Sequence, residues 1–215
     1  MRDVSPLEAR VLGVLVEKQH TVPDTYPLSL NALVAGCNQK TARDPVINAT
    51  EAEVMTAVDG LKRLSLVFEG AGSRVVRFEH NMPRVYALPA ASVALLTTLM
   101  LRGPQTAAEL RLHSERLHRF ADISSVEGFL EEMAAKEPPR VLKLPRAPGS
   151  REARWAHLLC GEVAIDAAAA LVGEAGVSAG EIAALKAEQA RLADELARLR
   201  QWAQRVGAEL GIDPP

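Results

Sequence analysis

Residues 37–46 read Cys37-Asn38-Gln39-Lys40-Thr41-Ala42-Arg43-Asp44-Pro45-Val46, and they run directly into a predicted helix that begins near Thr50. The segment is rich in side chains that donate and accept hydrogen bonds, as the recognition of another molecule requires. Pro45 disfavours a helical conformation at the residue before it, so the pattern predicts a shaped loop between two helices. This loop can bind a ligand or clamp a partner peptide, or it can simply satisfy backbone groups between the helices.

Two helices are predicted before the loop. Ser5 can cap the first, and Glu8, three residues later, completes a capping box. The second is short and covers residues 28–35, with Gly36 just past its end, where glycine is favoured.

A third helix and a hairpin are predicted after the loop. Thr50 and Glu53 form a second capping box, which opens a helix over residues 50–64. Two β-rich runs at 66–68 and 74–78 are separated by a glycine-rich turn, which is typical of a hairpin tip. Three short helices followed by a hairpin predict a winged helix.

The second half of the chain repeats this order with different residues. A connector over residues 80–89 precedes an apolar helix over 92–101, and capping boxes that begin at Thr106 and Ser124 open two further helices. A second hairpin is predicted within residues 141–158. The expected fold class is therefore mainly α with small β-hairpins, in two tandem winged-helix domains that cover residues 1–80 and 81–160.

The last part of the sequence predicts a dimerisation helix. Residues 161–177 are rich in Ala and Gly and are expected to form a linker, and residues 178–210 carry apolar residues three and four positions apart. This spacing predicts a coiled-coil seam and a homodimer, although the helix can instead fold back on its own domain. The seam residues are Ile182, Leu185, Gln189, Leu192, Leu196, Leu199, Ala203 and Val206.

Composition excludes few function classes. The chain has 215 residues, a formal net charge of -2 and 48% hydrophobic residues, so it can form real cores and carries no overall attraction for nucleic acid. Cys37 and Cys160 are far apart and are expected to be packed, reduced thiols. The sequence has neither a signal-peptide pattern nor an apolar run long enough for a membrane span, and we expect a cytoplasmic protein.

A family resemblance rests on four segments: Leu7-Glu8-Ala9-Arg10-Val11-Leu12, Glu17-Lys18, the loop at 37–46, and Leu101-Arg102-Gly103-Pro104-Gln105-Thr106. On these segments the chain resembles, over about residues 5–160, the YceH-like family of bacterial proteins, whose function is not established. The resemblance implies two winged-helix domains in tandem. It implies no reaction.

No motif indicates catalysis. His113 and His118 are five positions apart and do not share a helix face, and neither has a carboxylate or thiol at ligand spacing. No serine or cysteine has the sequence context of an activated nucleophile. We therefore expect a non-enzymatic protein without a metal or another cofactor.

Two binding functions remain. DNA binding is favoured by the fold and by the second hairpin, where residues 138–157 hold five basic residues and one acid, Glu152. The acidic outer faces of both candidate recognition helices oppose it, with Glu51, Glu53 and Asp59 on one and Glu127, Glu131 and Glu132 on the other. The alternative is a protein-interaction scaffold that dimerises through its coil. The candidate DNA or partner contacts are Asn38, Gln39, Lys40, Thr41, Arg43, Arg63, Arg74, Arg77, Arg140, Lys143, Arg146, Arg151 and Arg154.

Overall fold

A computed structural model of the chain describes residues 2–70, 75–146 and 152–163. The described chain is mainly helical with two small antiparallel sheets, as the sequence predicted. Arg74, Arg151, most of the predicted linker and the whole predicted coil lie outside the described residues. Within the described ranges, no helix is both long enough and apolar enough to cross a membrane.

The first two helices meet closely. Helix α1 (Pro6–Thr21) begins at the predicted capping box, in which the Glu8 amide donates to Ser5 Oγ at 3.1 Å. A short strand β1 (Leu28–Ser29) precedes helix α2 (Leu30–Cys37). The predicted end before Gly36 is wrong, because α2 includes this glycine. A Cβ at Gly36 would lie 2.5 Å from Val14 Cγ1, so the glycine permits close packing of α2 on α1.

Helix α3 (Glu51–Arg63) follows the loop and begins at the predicted capping box of Thr50 and Glu53. Strands β2 (Val67–Gly70) and β3 (Arg77–His80) then form the predicted hairpin. Strand β3 also pairs with β1, which gives the strand order β1-β3-β2 in an antiparallel sheet.

The predicted connector over residues 80–89 contains a short helix, α4 (Met82–Tyr86). Met82 and Tyr86 are buried, so this turn of helix contributes to the core. It leads into helix α5 (Ala90–Arg102), whose central turns are wholly buried.

Helix α6 (Ala107–His113) begins at the predicted capping box of Thr106 and Glu109. Helix α7 (Ile123–Ala134) corrects the prediction, because its cap is Asp122 rather than Ser124. The Ser125 amide donates to Asp122 Oδ1 at 2.7 Å, and a carboxylate at this position also complements the positive end of the helix dipole.

Strands β4 (Val141–Lys143) and β5 (Trp155–His157) form the second predicted hairpin. Gln105, just before α6, forms a β-bridge with Trp155. In both halves, therefore, a short extended segment ahead of the second helix pairs with the last strand. This shared topology supports the predicted repeat.

The two halves share one apolar core. Helix α1 packs against α5, and buried leucines of both helices, including Leu12, Leu15, Leu95 and Leu99, belong to one continuous cluster. The division into domains at residue 80 stays a prediction, because the hydrophobic interior is continuous across it.

Candidate functional site

The loop at 38–46 is fixed at its base by Asn38. Its Nδ2 donates to the Ala49 carbonyl at 2.8 Å, and its Oδ1 accepts from the Ala49 amide at 2.7 Å. The Asp44 amide donates to the Leu101 carbonyl at 2.8 Å, which attaches the far side of the loop to the end of α5. Asn38 therefore has a structural role, since it closes the loop.

Arg43 is buried rather than presented to a ligand. Its side chain is fully buried, and its two terminal nitrogens bind the two oxygens of Glu17 at 3.0 and 2.6 Å. The Arg43 Nε donates to the Gly36 carbonyl at 3.1 Å. Burial acts to raise the pKa of Glu17, but the hydrogen bonds and charge of Arg43, aided by Lys18, outweigh burial and lower that pKa. The prediction that Arg43 contacts DNA or a partner does not fit this burial.

A second buried arginine binds backbone carbonyls at both ends of the loop. Arg10 of α1 is 4% exposed and donates to the carbonyls of Cys37 at 3.1 Å and Pro45 at 2.7 Å. Burial, followed by the charge of Arg43, lowers the pKa of the Arg10 guanidinium. Sequence reasoning missed this role, because the contacts join residues that are 27 and 35 positions apart.

Three of the predicted contact residues of the loop are consecutive in sequence. Gln39 Nε2 donates to the Thr41 carbonyl at 3.0 Å, and its Oε1 accepts from Lys18 Nζ at 3.3 Å. Lys40 and Thr41 are exposed. Among the predicted contacts of the loop, Lys40 and Thr41 are therefore accessible, and Gln39 is half-buried beside them.

Two of these residues line a polar cleft of about 270 Å³, here named the Arg102 cleft. One wall comes from α1 and the loop, and the other from the end of α5 and the chain around the end of α6. The polar side chains that line it are Glu17, Lys18, Thr21, Gln39, Thr41, Thr98, Arg102, His113 and Arg116. Three segments of the family resemblance, at 17–18, 37–46 and 101–106, meet at this cleft.

The hairpin cations are mostly engaged within the chain. The Arg77 Nη1 donates to the carbonyls of Pro27 at 2.8 Å and Thr25 at 3.2 Å. The Arg140 guanidinium lies 4.8 Å from the centre of the Tyr86 ring, in a cation–π contact. Both arginines were predicted contacts, and both stabilise the fold.

The other three described cations of the second hairpin differ in exposure. Arg154 donates to the Pro104 carbonyl at 2.8 Å and lies 3.4 Å from Glu109 Oε1. Lys143 and Arg146, in contrast, are exposed, although Lys143 Nζ also lies 5.3 Å from the centre of the Trp155 ring. The described surface of this segment therefore presents less positive charge than the sequence indicated.

In the first half of the chain, Arg63 is exposed at the end of α3. The remaining outer face of α3 is acidic at Glu51 and Glu53, and Glu131 and Glu132 are exposed on α7. Four of the six predicted acidic residues are thus solvent-exposed, and the other two, Asp59 and Glu127, are half-buried.

The start of α7 lies between two clefts that both contain cations. Ile123, its first residue, is 43% exposed and lines a cleft of about 760 Å³ together with Arg111 and Arg119. It also lines a second cleft, of about 290 Å³, together with Lys143 and Arg146. Acidic residues line both clefts as well, with Glu115 in the first and Glu127 and Glu152 in the second.

Sequence reasoning missed Arg111 and Arg119. The signal was the density of basic residues between positions 111 and 119, where three arginines and two histidines face one glutamate. They belong to α6 and to the turn before α7, far in sequence from the hairpin that they accompany.

The cysteines and histidines show no arrangement for catalysis in the described ranges. Cys37 is buried and Cys160 is half-buried, and both are free thiols. Burial raises the pKa of Cys37 to about 12 and that of Cys160 to about 11, which disfavours the nucleophilic thiolate. In the described part of the chain, no group of three or more His, Cys, Asp or Glu residues is placed to hold a metal ion.

Comparison with known proteins gives the family. A family model described as "Protein of unknown function, DUF480" matches residues 4–150. A UPF0502 protein of Burkholderia multivorans is 67% identical over 215 residues, which cover 99% of this chain and 92% of that protein. A UPF0502 protein of Leptothrix cholodnii is 66% identical over 218 residues, which cover 99% of this chain and 97% of that protein. The chain therefore belongs to the DUF480, or UPF0502, family of bacterial proteins, which is the YceH-like family that its sequence motifs indicated.

Proposed function

We propose that the chain is a non-enzymatic tandem winged-helix protein that binds duplex DNA mainly through its second domain. The shared topology of the two halves supports the winged-helix assignment. In each half, three helices precede a hairpin whose last strand pairs with an extended segment ahead of the second helix. In this plan the third helix approaches the major groove and the hairpin, or wing, contacts the backbone.

One observation carries the assignment to DNA: cations lie on both sides of the start of α7. Arg111 and Arg119 are on one side of Ile123, and Lys143 and Arg146 are on the other. Cations that flank the end of a recognition helix match the phosphates that flank a groove. The geometry therefore favours entry of α7 into the groove by its first turn.

The proposed partners are duplex DNA and a second copy of the chain. Dimerisation through the predicted coil at 178–210 would place two second domains on repeated half-sites. The proposal needs neither cofactor nor metal. In this proposal the first domain positions the loop and does not insert its candidate recognition helix α3 into DNA. Helix α3 begins with exposed carboxylates at Glu51 and Glu53, which repel phosphate.

The test is fluorescence anisotropy of the full-length protein with mixed-sequence duplex DNA at low and near-physiological salt. We expect anisotropy to rise at low salt and to fall steeply as salt increases. The variant Lys143→Ala with Arg146→Ala should reduce affinity similarly for all sequences, and it should lower the slope of log K against log salt by about 1 for each phosphate that is no longer bound. The variant Arg111→Ala with Arg119→Ala should do the same.

The control removes one exposed cation elsewhere, with Arg84→Ala, and should leave the salt slope unchanged. If the control weakens binding as much as the two test variants, the positive charge acts without a specific surface. If the wild-type protein does not bind duplex even at low salt, the DNA proposal is wrong.

A protein-interaction scaffold is the second candidate, favoured by apolar side chains at the first hairpin. Phe68 is 44% exposed and Val76 is 53% exposed, although large apolar residues are usually buried. Absence of duplex binding, together with salt-insensitive capture of one cellular protein that a Phe68→Ser, Val76→Ser variant no longer captures, would favour the scaffold.

A further inference from the structure

The Arg102 cleft is lined by several cations and by one carboxylate, which already forms an ion pair within the protein. Lys18, Arg102 and Arg116 line it, and Glu17 is the single acidic residue among its described lining. Both oxygens of Glu17 are bound by Arg43, whose own charge lies directly behind the cleft. Positive charge therefore dominates the cleft.

We propose that the Arg102 cleft binds a small polyanion with at least two negative charges, of the phosphorylated or polycarboxylate class. Among the described residues, the guanidinium groups of Arg102 and Arg116 make no hydrogen bond or ion pair with a protein side chain or carbonyl. Guanidinium groups bind phosphate and carboxylate through paired hydrogen bonds, so two free guanidinium groups in one cleft suit a ligand with two anionic groups.

Partial burial strengthens this argument. Arg102 is half-buried, and burial lowers the pKa of its guanidinium, while Glu17 raises that pKa and Arg43 lowers it. A cation that is partly removed from water and lies near another cation is unfavourable unless an anion compensates it. A bound polyanion would supply that compensation.

Neutral polar groups complete the lining. Gln39, Thr41 and His113 offer hydrogen-bonding atoms beside the cations. Burial, followed by the charge of Arg102, lowers the pKa of His113, and its Nδ1 is hydrogen-bonded to Gln105 Oε1. The volume of about 270 Å³ lies just below the roughly 300–1,000 Å³ of pockets for drug-sized ligands, which favours a small metabolite.

The cleft joins parts of the chain that are distant in sequence. Lys18 belongs to α1, Gln39 and Thr41 to the loop, and Arg102 to the end of α5, while Arg116 follows α6. A ligand that contacts these side chains would hold the loop against the second half of the chain. This site is separate from the cations around Ile123, so the proposal does not depend on DNA binding.

The test is isothermal titration calorimetry of the full-length protein with two probes, inorganic pyrophosphate and citrate, in a metal-free buffer at low salt. We expect saturable binding of at least one probe. Arg102→Gln should weaken it about tenfold or more, and Arg116→Gln should weaken it by a smaller factor because Arg116 is more exposed. The control Arg84→Gln removes an exposed arginine outside the cleft and should leave the affinity unchanged.

Each outcome decides the proposal. Binding of pyrophosphate alone assigns a phosphorylated ligand, binding of citrate alone assigns a polycarboxylate, and binding of both assigns recognition by charge. Each of these supports the site if Arg102→Gln weakens binding while the variant keeps the wild-type circular dichroism spectrum. If neither probe gives saturable heat, or Arg84→Gln weakens binding as much as Arg102→Gln, the proposal is overturned.

Discussion

Removal of Arg43 should strongly destabilise the protein, because its side chain is fully buried and Glu17 would lose its main partner. The Arg43→Ala variant leaves a carboxylate that is only 17% exposed, with Lys18 at 3.2 Å as its remaining cation. Breaking a buried pair by removal of one partner costs about 3–5 kcal/mol. Because Lys18 partly compensates Glu17, we expect about 3 kcal/mol, at the lower end of that range.

Urea denaturation followed by circular dichroism measures this effect. With an m-value of ~2 kcal/mol/M, a loss of about 3 kcal/mol lowers the denaturation midpoint by about 1.5 M at constant m. The control is Lys40→Ala in the same loop, which removes an exposed cation and should change the free energy of unfolding by less than about 0.5 kcal/mol. The double variant Glu17→Met, Arg43→Met should recover most of the loss, since it leaves no buried charge unpaired.

The pH dependence gives an independent check. The folded-state pKa of Glu17 is lowered from 4.5, so the ion pair stabilises the protein fully above that value and loses this effect as the pH falls through the folded-state pKa. The difference in stability between wild type and Arg43→Ala should therefore shrink below about pH 4.5. A loss under about 1 kcal/mol at neutral pH, or a difference that does not shrink in acid, would refute the assignment of Arg43 as a structural ion-pair residue.

Three further predictions test other parts of the structure. A thiol reagent should label Cys160 before Cys37 in the native protein and both in urea, because Cys37 is 0% exposed and Cys160 is half-buried; equal native rates would contradict this. Gly36→Ala should lower the free energy of unfolding by at least about 1 kcal/mol, measured by urea denaturation, because the new Cβ would lie 2.5 Å from Val14 Cγ1; unchanged stability would contradict the close packing. Deletion of residues 178–215 should halve the mass measured by sedimentation, and a persisting dimer would show that the predicted coil is not the main interface.

Local signals in the sequence predicted most of the fold. The capping boxes at Ser5, Thr50 and Thr106 are confirmed, because each depends on residues three positions apart. The cap of α7 was predicted wrongly, since Asp122 and Ser124 can both cap and only the packing of the whole helix selects between them. Local chemistry thus located the helix but not its first residue.

The candidate site was less predictable, because burial of polar residues depends on distant partners. The polar content of the loop at 38–46 indicated recognition, but Asn38 and Arg43 serve the loop itself and its attachment to α1 and α2. A loop between packed helices must satisfy its own backbone groups, and this demand selects the same residue types as ligand binding. Polar richness alone therefore does not separate the two roles.

The acidic residues of α7 give the last prediction, because the proposed DNA contact has to tolerate them. Glu131 is eight residues after Ile123, or about 12 Å along the helix at ~1.5 Å per residue. The Debye length is about 8 Å at 0.15 M salt and about 30 Å at 0.01 M. If α7 approaches DNA by its first turn, the charges of Glu131 and Glu132 are mostly screened at physiological salt and strongly felt at low salt.

The variant Glu131→Gln, Glu132→Gln should therefore tighten duplex binding clearly at 0.01 M salt and only slightly at 0.15 M, as measured by anisotropy. The control Glu51→Gln, Glu53→Gln makes the same change of charge on α3 and should have a smaller effect, because the proposed contact lies in the second domain. An equal gain for Glu131→Gln, Glu132→Gln at both salt concentrations would place the two carboxylates directly against phosphate. In that case α7 would lie along the groove, and the proposed entry by its first turn alone would be wrong.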